Sequence, residues 1–431
     1  MSRPRRGAPG RGSSQALTPP PGKSGAWGRP PSPRQMLRDY GTVYFANGLV
    51  GTIFSASGPV AVTLAVGTAG GLSEAQLASW VFAMMASGGA ATLMMSLLYR
   101  QPLGFGWSIP GTVLLGPSLQ HLSFAEVVGA FFTCGVLILA IGLSGVMRRV
   151  MGSLPLPIIM AMVAAVFLRF GIDVVDSART DLAVAGPMIA AFVLLSAVPR
   201  LGRVLPPVLG TLIVGVAVVA VTGRITLSPG GAILSSPVFT APEFTWAAQV
   251  ELVIPLAVTV LLVQNGQGVA VLTAAGHRPP VNGFAVVSGL FSLVNAAAGA
   301  VSACVTGPTN AVLTSAGERH RQYTAALTFG VLSLIFASFA PALVQFMLAT
   351  PEAFVLSLGG LAMLRVLQQA FVVAFSTRFT LGALITFVVT VSGLSLFNLH
   401  AAFWGIVIGY ALSRLMEPAD HAAARDGARE G

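Results

Sequence analysis

The chain has 431 residues, of which 55% are hydrophobic and 9% charged, against about 25% charged in ordinary soluble domains. So few charges cannot cover a water-soluble globule of this size, and continuous rather than alternating apolar runs argue against a transmembrane β-barrel. The composition predicts an all-α polytopic membrane protein and excludes a soluble enzyme or a soluble nucleic-acid binder.

Residues 1–38 are rich in Pro, Gly, Ser and Arg. They carry Arg3, Arg5, Arg6, Arg11, Lys23, Arg29, Arg34 and Arg38 and no acid, so they account for most of the net charge of +10. Such a stretch cannot bury a core and is expected to be a disordered cytoplasmic tail lying against anionic lipid. No cleavable apolar region follows its arginines directly, so it does not read as a signal peptide. No nucleic-acid partner is expected.

Residues 39–416 read as one transmembrane domain, followed by a cytoplasmic tail at 417–431. Seven apolar segments fill the first half, at 41–71, 75–98, 105–120, 124–147, 153–170, 182–198 and 204–223. After a link at 224–248 come seven more, at 249–275, 283–300, 301–315, 322–349, 351–372, 379–397 and 399–416. With the N-terminus in the cytoplasm and fourteen alternating spans, the 24 basic residues divide 21 to 3 in favour of the inside. That asymmetry is what the positive-inside rule demands, and it puts both termini in the cytoplasm of a cell (inner) membrane protein.

The halves match each other. Thr133-Cys134-Gly135-Val136-Leu137 aligns with Thr328-Phe329-Gly330-Val331-Leu332, Leu168-Arg169 with Leu364-Arg365 at an offset of 196, and Pro110 with Pro308 at an offset of 198. Seven spans per repeat is an odd number, so the second copy is predicted to be inverted. Inverted repeats with interrupted helices mark secondary transporters, with the substrate site at the repeat interface.

Segments 3 and 10 are the interrupted ones. Each is predicted to be a short extended stretch leading into a half-helix, since Pro fits a first helical turn. Irregular backbone at membrane depth is tolerated only inside protein or beside a cavity. The candidate substrate-binding residues are therefore Trp107, Ser108, Pro110 and Gly111 in segment 3 and Thr306, Gly307, Pro308, Thr309 and Asn310 in segment 10. The free N–H groups at two facing half-helix starts would bind a small anion. Gln264, Asn265 and Gln267 in segment 8 are amides that need a partner at mid-membrane. Ser55 and Ser57 in segment 1 would complete the cavity, and Trp107 would pack on a ring.

All fourteen acids fall at segment ends, in loops or in tails on this map, with Glu251 and Glu126 nearest the spans. The residues thus present no mid-membrane carboxylate for proton coupling. The five histidines have no metal-ligand spacing, Cys134 and Cys304 lie in apolar stretches, and no nucleophile–base pair is visible. Neither metal nor cofactor is expected, and an enzyme is the least favoured class. The residues alone leave three readings open: a carrier of a small organic anion, a carrier of a neutral nucleobase-like heterocycle, and a non-transporting membrane scaffold or sensor.

Several stretches resemble the benzoate/proton symporter family, BenE. They are Leu77-Ala78-Ser79-Trp80, Trp107-Ser108-Ile109-Pro110-Gly111, Leu168-Arg169-Phe170-Gly171, Thr240-Ala241-Pro242-Glu243-Phe244, Gln264-Asn265, Thr306-Gly307-Pro308 and Ala402-Phe403-Trp404-Gly405. The resemblance implies the fold of the uracil and sulfate transporter superfamily, with fourteen spans in two inverted repeats of seven. It implies a core domain (41–147 and 249–349) moving against a gate domain (153–223 and 351–416), and a homodimer through the gate. It also implies an aromatic carboxylate such as benzoate as substrate, carried with protons. The sequence departs from the family pattern where Thr309 replaces a Glu, where Gly266-Gln267-Gly268 follows Gln264-Asn265, and where Ile109 replaces a Thr.

Overall fold

A computed structural model describes residues 30–147, 155–225, 232–315, 317–376, 378–394, 396 and 401–430. Residues 1–29 of the N-terminal tail lie outside the described residues. The protein is mostly helical and of membrane type.

The first departure from expectation is in the tail. Pro33–Asp39 forms a helix, α1, rather than continuing a disordered tail. Ser32 caps it by accepting from the Gln35 amide, Pro33 occupies its first turn, and Tyr323 donates to the Asp39 carboxylate at 2.9 Å. A cap and one tertiary anchor are enough to order two turns.

Segment 1 is two helices, α2 (Thr42–Ala56) and α3 (Gly58–Ala69), broken at Ser57. The break follows from Gly58-Pro59, because Pro59 cannot supply the N–H that a continuous helix needs. Next come α4 (Glu74–Tyr99), strand β1 (Phe105–Trp107), α5 (Ile109–Ser118) and α6 (Phe124–Leu143). Capping boxes at Ser73/Gln76 and Ser123/Glu126 start α4 and α6.

Helix α7 (Leu156–Thr180) runs ten residues beyond the apolar segment read at 153–170, so Asp173 and Asp176 sit on a helix and not in a loop. Hydropathy ends at Arg169, but the helix continues with Asp173, Val174 and Ser177 buried and Ser177 meeting Ser357 at 2.8 Å. Arg169 pairing with Asp173 one turn on, at 2.8 Å, adds about 0.2–0.5 kcal/mol. Then follow α8 (Leu182–Ala197), α9 (Pro199–Val204) and α10 (Pro207–Val221). The link to the second half lies along the helices: Val238 N–H donates to Ser79 Oγ and Glu243 N–H to the Ala125 carbonyl, both at 2.9 Å.

The second half opens with α11 (Trp246–Ala274), a helix containing two π-turns, Gln249–Val253 and Thr259–Gln264. It continues with α12 (Val281–Ala297), strand β2 (Ala303–Val305), α13 (Gly307–Leu313), α14 (Tyr323–Ser338) and α15 (Ala340–Leu348). Segment 11 is thus two helices, bent by 69° at Phe339, where Pro341 enters the first turn of α15. The chain ends with α16 (Glu352–Ala374), α17 (Thr380–Val391), α18 (Ala401–Met416) and α19 (Pro418–Glu430). Glu417 caps α17 by accepting from the Leu381 and Gly382 amides at 2.9 and 3.0 Å.

Among the described residues, six helices are long and apolar enough to cross a membrane, with α2 and α3 taken as one. The bent α14–α15 pair makes a seventh, and α8, α10, α12, α17 and residues 404–416 are shorter apolar helices.

Packing is closest between α7 and α16, α6 and α12, and α4 and α14. Small residues permit these approaches, as packing in lipid requires. A methyl group on Gly289 of α12 would lie 2.4 Å from the Leu139 amide of α6, and one on Gly360 of α16 would lie 2.5 Å from the Phe170 carbonyl of α7. The two strands meet as an antiparallel pair, with Phe105 opposite Val305, Gly106 opposite Cys304 and Trp107 opposite Ala303. Chain segments 198 residues apart therefore cross at their extended stretches, each about to enter a helix.

Candidate functional site

A cavity of about 480 Å³, mouth included, lies where the two strand–helix units face α7 and α16. Of the residues singled out from sequence, Ser55, Trp107, Pro110, Gln264, Gln267, Thr306, Pro308 and Thr309 line it. No charged side chain is among its lining residues.

The polar atoms are its most telling feature. Trp107 Nε1, Gln264 Oε1 and Thr306 Oγ1 are buried and meet no hydrogen-bond partner among the described residues. All three residues border this cavity. Buried polar groups are nearly always satisfied, and leaving one unpaired costs about 1–3 kcal/mol. The indole and the hydroxyl supply donors and the amide oxygen an acceptor.

The other six candidates lie behind the lining, and each has a structural reason. Ser108 Oγ accepts from the Gly111 amide at 3.1 Å and donates to Thr259 Oγ1 at 2.9 Å, which caps α5 and ties it to α11. The Gly111 N–H, expected to face an anion, is therefore already satisfied. Asn265 Oδ1 accepts from the Val305 amide at 2.9 Å and so holds β2. Asn310 accepts from the Gly104 amide and donates to the Gly104 and Thr306 carbonyls, at 2.9, 2.9 and 2.7 Å. Ser57 Oγ donates to the Phe54 carbonyl at 3.1 Å in the break between α2 and α3. Gly307 lets Gln267 pass close, since a methyl group there would lie 2.9 Å from Gln267 Cβ.

The start of α13 is the more open of the two. Thr306 precedes it without a side-chain cap bond. The Gly307 and Thr309 amides lie in its first turn, where no intrahelical acceptor exists, and Pro308 has no N–H. The apolar wall comes from Phe54, Pro59, Ile109, Phe167 and Met363. Phe105 instead packs edge-on to Phe284, with centroids 5.8 Å apart, away from the cavity.

Phe167 on α7 and Met363 on α16 were not anticipated. A signal existed: each stands immediately before a matched Leu-Arg pair, and they are themselves 196 positions apart. The acids also differ from expectation. Glu251 lies within the first π-turn of α11, is 2% exposed, and accepts from Ser118 while meeting His121 Nε2 at 2.9 Å. It is a buried acid on the helix that carries Gln264.

Comparison with known proteins places these features. The Escherichia coli inner membrane protein YdcO is 30% identical over 344 residues, 79% of this chain and 87% of that protein. A benzoate membrane transport protein of Acinetobacter baylyi is 27% identical over 370 residues, 84% of this chain and 92% of that one. Among solved structures, the transmembrane domain of the cyanobacterial bicarbonate transporter BicA superposes with a TM-score of 0.61 at 14% identity, covering 88% of this chain and 97% of that one. SLC26A9 does so with a TM-score of 0.59 at 12% identity, covering 89% and 67%. These likenesses show the fold. Residues 39–415 match the BenE family, described as benzoate membrane transport protein, and the chain belongs to that family of membrane transporters.

Proposed function

We propose that this protein is a secondary transporter of an aromatic carboxylate such as benzoate, bound in the cavity between the strand–helix units. The three unpartnered buried polar atoms on residues that line that cavity carry the reading. The carboxylate accepts from Trp107 Nε1–H, Thr306 Oγ1–H and the first amides of α13, while Gln264 orients it. The ring lies against Phe54, Phe167 and Met363. Neutral donors suffice, because a buried anion is stabilised by hydrogen bonds to its charged form.

In this reading fourteen spans form two inverted repeats of seven, with both termini cytoplasmic. A core (41–147 and 249–349) moves against a gate (153–223 and 351–416) that also forms a homodimer. Cavity walls come from both parts, with Phe167 and Met363 the gate's share, so relative motion would open and close the site. The lining holds no titratable side chain. Coupling to protons therefore falls to groups outside it, of which buried Glu251, paired with the exposed His121, is one.

Uptake of labelled benzoate into proteoliposomes tests the proposal. Saturable uptake that weakens about tenfold or more in KM with Thr306→Val or Gln264→Leu is expected. Uptake indifferent to both would overturn the site. The absence of a cation in the lining also suits a neutral nucleobase-like heterocycle, which pairs donors with an acceptor. Thermal stabilisation by uracil or xanthine but not by benzoate would establish that second reading instead.

A further inference from the structure

Three spaces are strung along the paired helices α7 and α16. The central cavity takes Phe167 and Met363 from them. A vestibule of about 1230 Å³, mouth included, takes Arg169, Asp173 and Glu352. Another of about 1180 Å³ takes Leu156, Met160, Arg365, Gln368 and Gln369. Glu352 and Gln368 stand sixteen residues apart on one helix, about 24 Å at 1.5 Å per residue. The vestibules therefore occupy opposite ends of the helix pair, with the cavity between.

Their charges are opposite too. In the first, Arg169 is held at 2.8 Å by Asp173, and Glu352 adds a second carboxylate. In the second, Arg365 is the charged residue of the lining and no acid stands with it among the described residues. Its Nη1 donates to Gln368 Oε1 at 3.2 Å, which holds the guanidinium along α16 and leaves further donors to spare. Leu156, Val271, Val372 and Val373 provide an apolar wall beside it. This vestibule also adjoins the central cavity, since Gln267 and Pro308 line both, whereas the Arg169 vestibule shares no lining residue with it.

We propose that Arg365, with Gln368 and Gln369, forms an entry subsite for an organic carboxylate, occupied on the way to or from the central cavity. A guanidinium fork beside an apolar wall matches a carboxylate on an aromatic ring. The cation also raises the local concentration of anions on that face, while the net negative charge of the other vestibule does not. The matched arginines of the two repeats thus serve unequal ends: one is neutralised, the other free to collect substrate. The proposal rests on the reading of the central cavity as a carboxylate site, and its test separates the two.

The test uses V372C in the full chain, reconstituted in proteoliposomes, probed with anionic and cationic methanethiosulfonates. Cys134 and Cys304 are buried and do not compete. The V372C thiol should react faster with the anionic reagent, and millimolar benzoate should slow that reaction about fivefold or more. R365Q on the same background should remove the protection and reverse the reagent preference, and R365K should restore the preference more than the protection. Unchanged reaction of R365Q with the cationic reagent, or faster, shows that the variant is folded. Protection that is absent, or that persists undiminished in R365Q, overturns the subsite. Labelled-benzoate uptake is measured in parallel on the unsubstituted chain. No uptake with Arg365-dependent protection would remove the proposed function and leave the subsite. Uptake without that protection would do the reverse.

Discussion

The two strand–helix units, β1–α5 and β2–α13, have the same design and different finishes. In the first, Ser108 closes the helix start on itself: it caps Gly111 and is tied to Thr259. In the second, Thr306 stands in the corresponding place with an unpartnered hydroxyl, and its backbone is held instead by Asn310. The far ends differ as well. Ser118, the last residue of α5, donates to Glu251, whereas the Thr314 carbonyl beyond α13 accepts from Gln322, whose amide oxygen meets His277 at 2.7 Å. The first helix start is closed by its own capping side chain, and the second has no side-chain cap.

The largest test of this contrast is Asn310→Leu. It leaves the buried Gly104 amide without its partner and takes one donor each from the Gly104 and Thr306 carbonyls, which keep backbone donors, and should cost about 2–3 kcal/mol of stability. A detergent-solubilised melting temperature near that of the parent would break the claim that Asn310 is structural. Thr306→Val comes next and should do the opposite, weakening benzoate affinity by about 1–3 kcal/mol with little change in melting temperature, because the hydroxyl has no protein partner to lose. Ser108→Ala should lower stability by about 1 kcal/mol through the lost cap, with a smaller effect on affinity than Thr306→Val. Equal losses of affinity in these two variants would erase the difference between the units.

The smallest effect is a pH dependence confined to the second unit. Burial, the leading cause, holds the His277 pKa below its ordinary 6.5, with the nearby Arg319 charge adding to it against the hydrogen bond that the ring donates to Gln322. The neutral ring is favoured in the fold, so the unfolded chain takes up the proton first. This contribution is complete above pH 6.5 and is lost as pH falls from there towards the folded value. The melting temperature should therefore drop modestly between pH 7 and 5, and by less in His277→Asn. An identical drop in that variant would assign the effect elsewhere.

Much of this arrangement was legible from residue order. The Pro and Gly breaks at 104–112 and 302–310 announced both interrupted segments, because backbone chemistry there is local. Helix ends set by tertiary partners were not legible: beyond its apolar stretch α7 is tied to α16 through Ser177 and Ser357, and α1 depends on Tyr323. At the site, residue type pointed to polar groups but could not say which way each faced. Asn265 and Asn310 look as suited to a ligand as Gln264 does, yet they spend their amides on strand and loop backbone. Trp107 was singled out for its ring, and its N–H proved equally informative. Phe167 and Met363 are apolar themselves, and only the matched Leu-Arg pairs that follow them marked their positions.

The π-turn at Thr259–Gln264 deserves a geometric reading. A π-turn accommodates one residue more than an α-turn, and in a helix of 3.6 residues per turn one residue is a rotation of about 100°. Helix α11 thus contains a dislocation just ahead of two adjacent amides that look in different directions, Gln264 into the cavity and Asn265 onto β2. The phase of that single turn decides which amide serves which duty. Deleting one residue within 259–263 would re-phase the pair without altering either side chain, so which amide borders the cavity is encoded in backbone register as well as in residue identity.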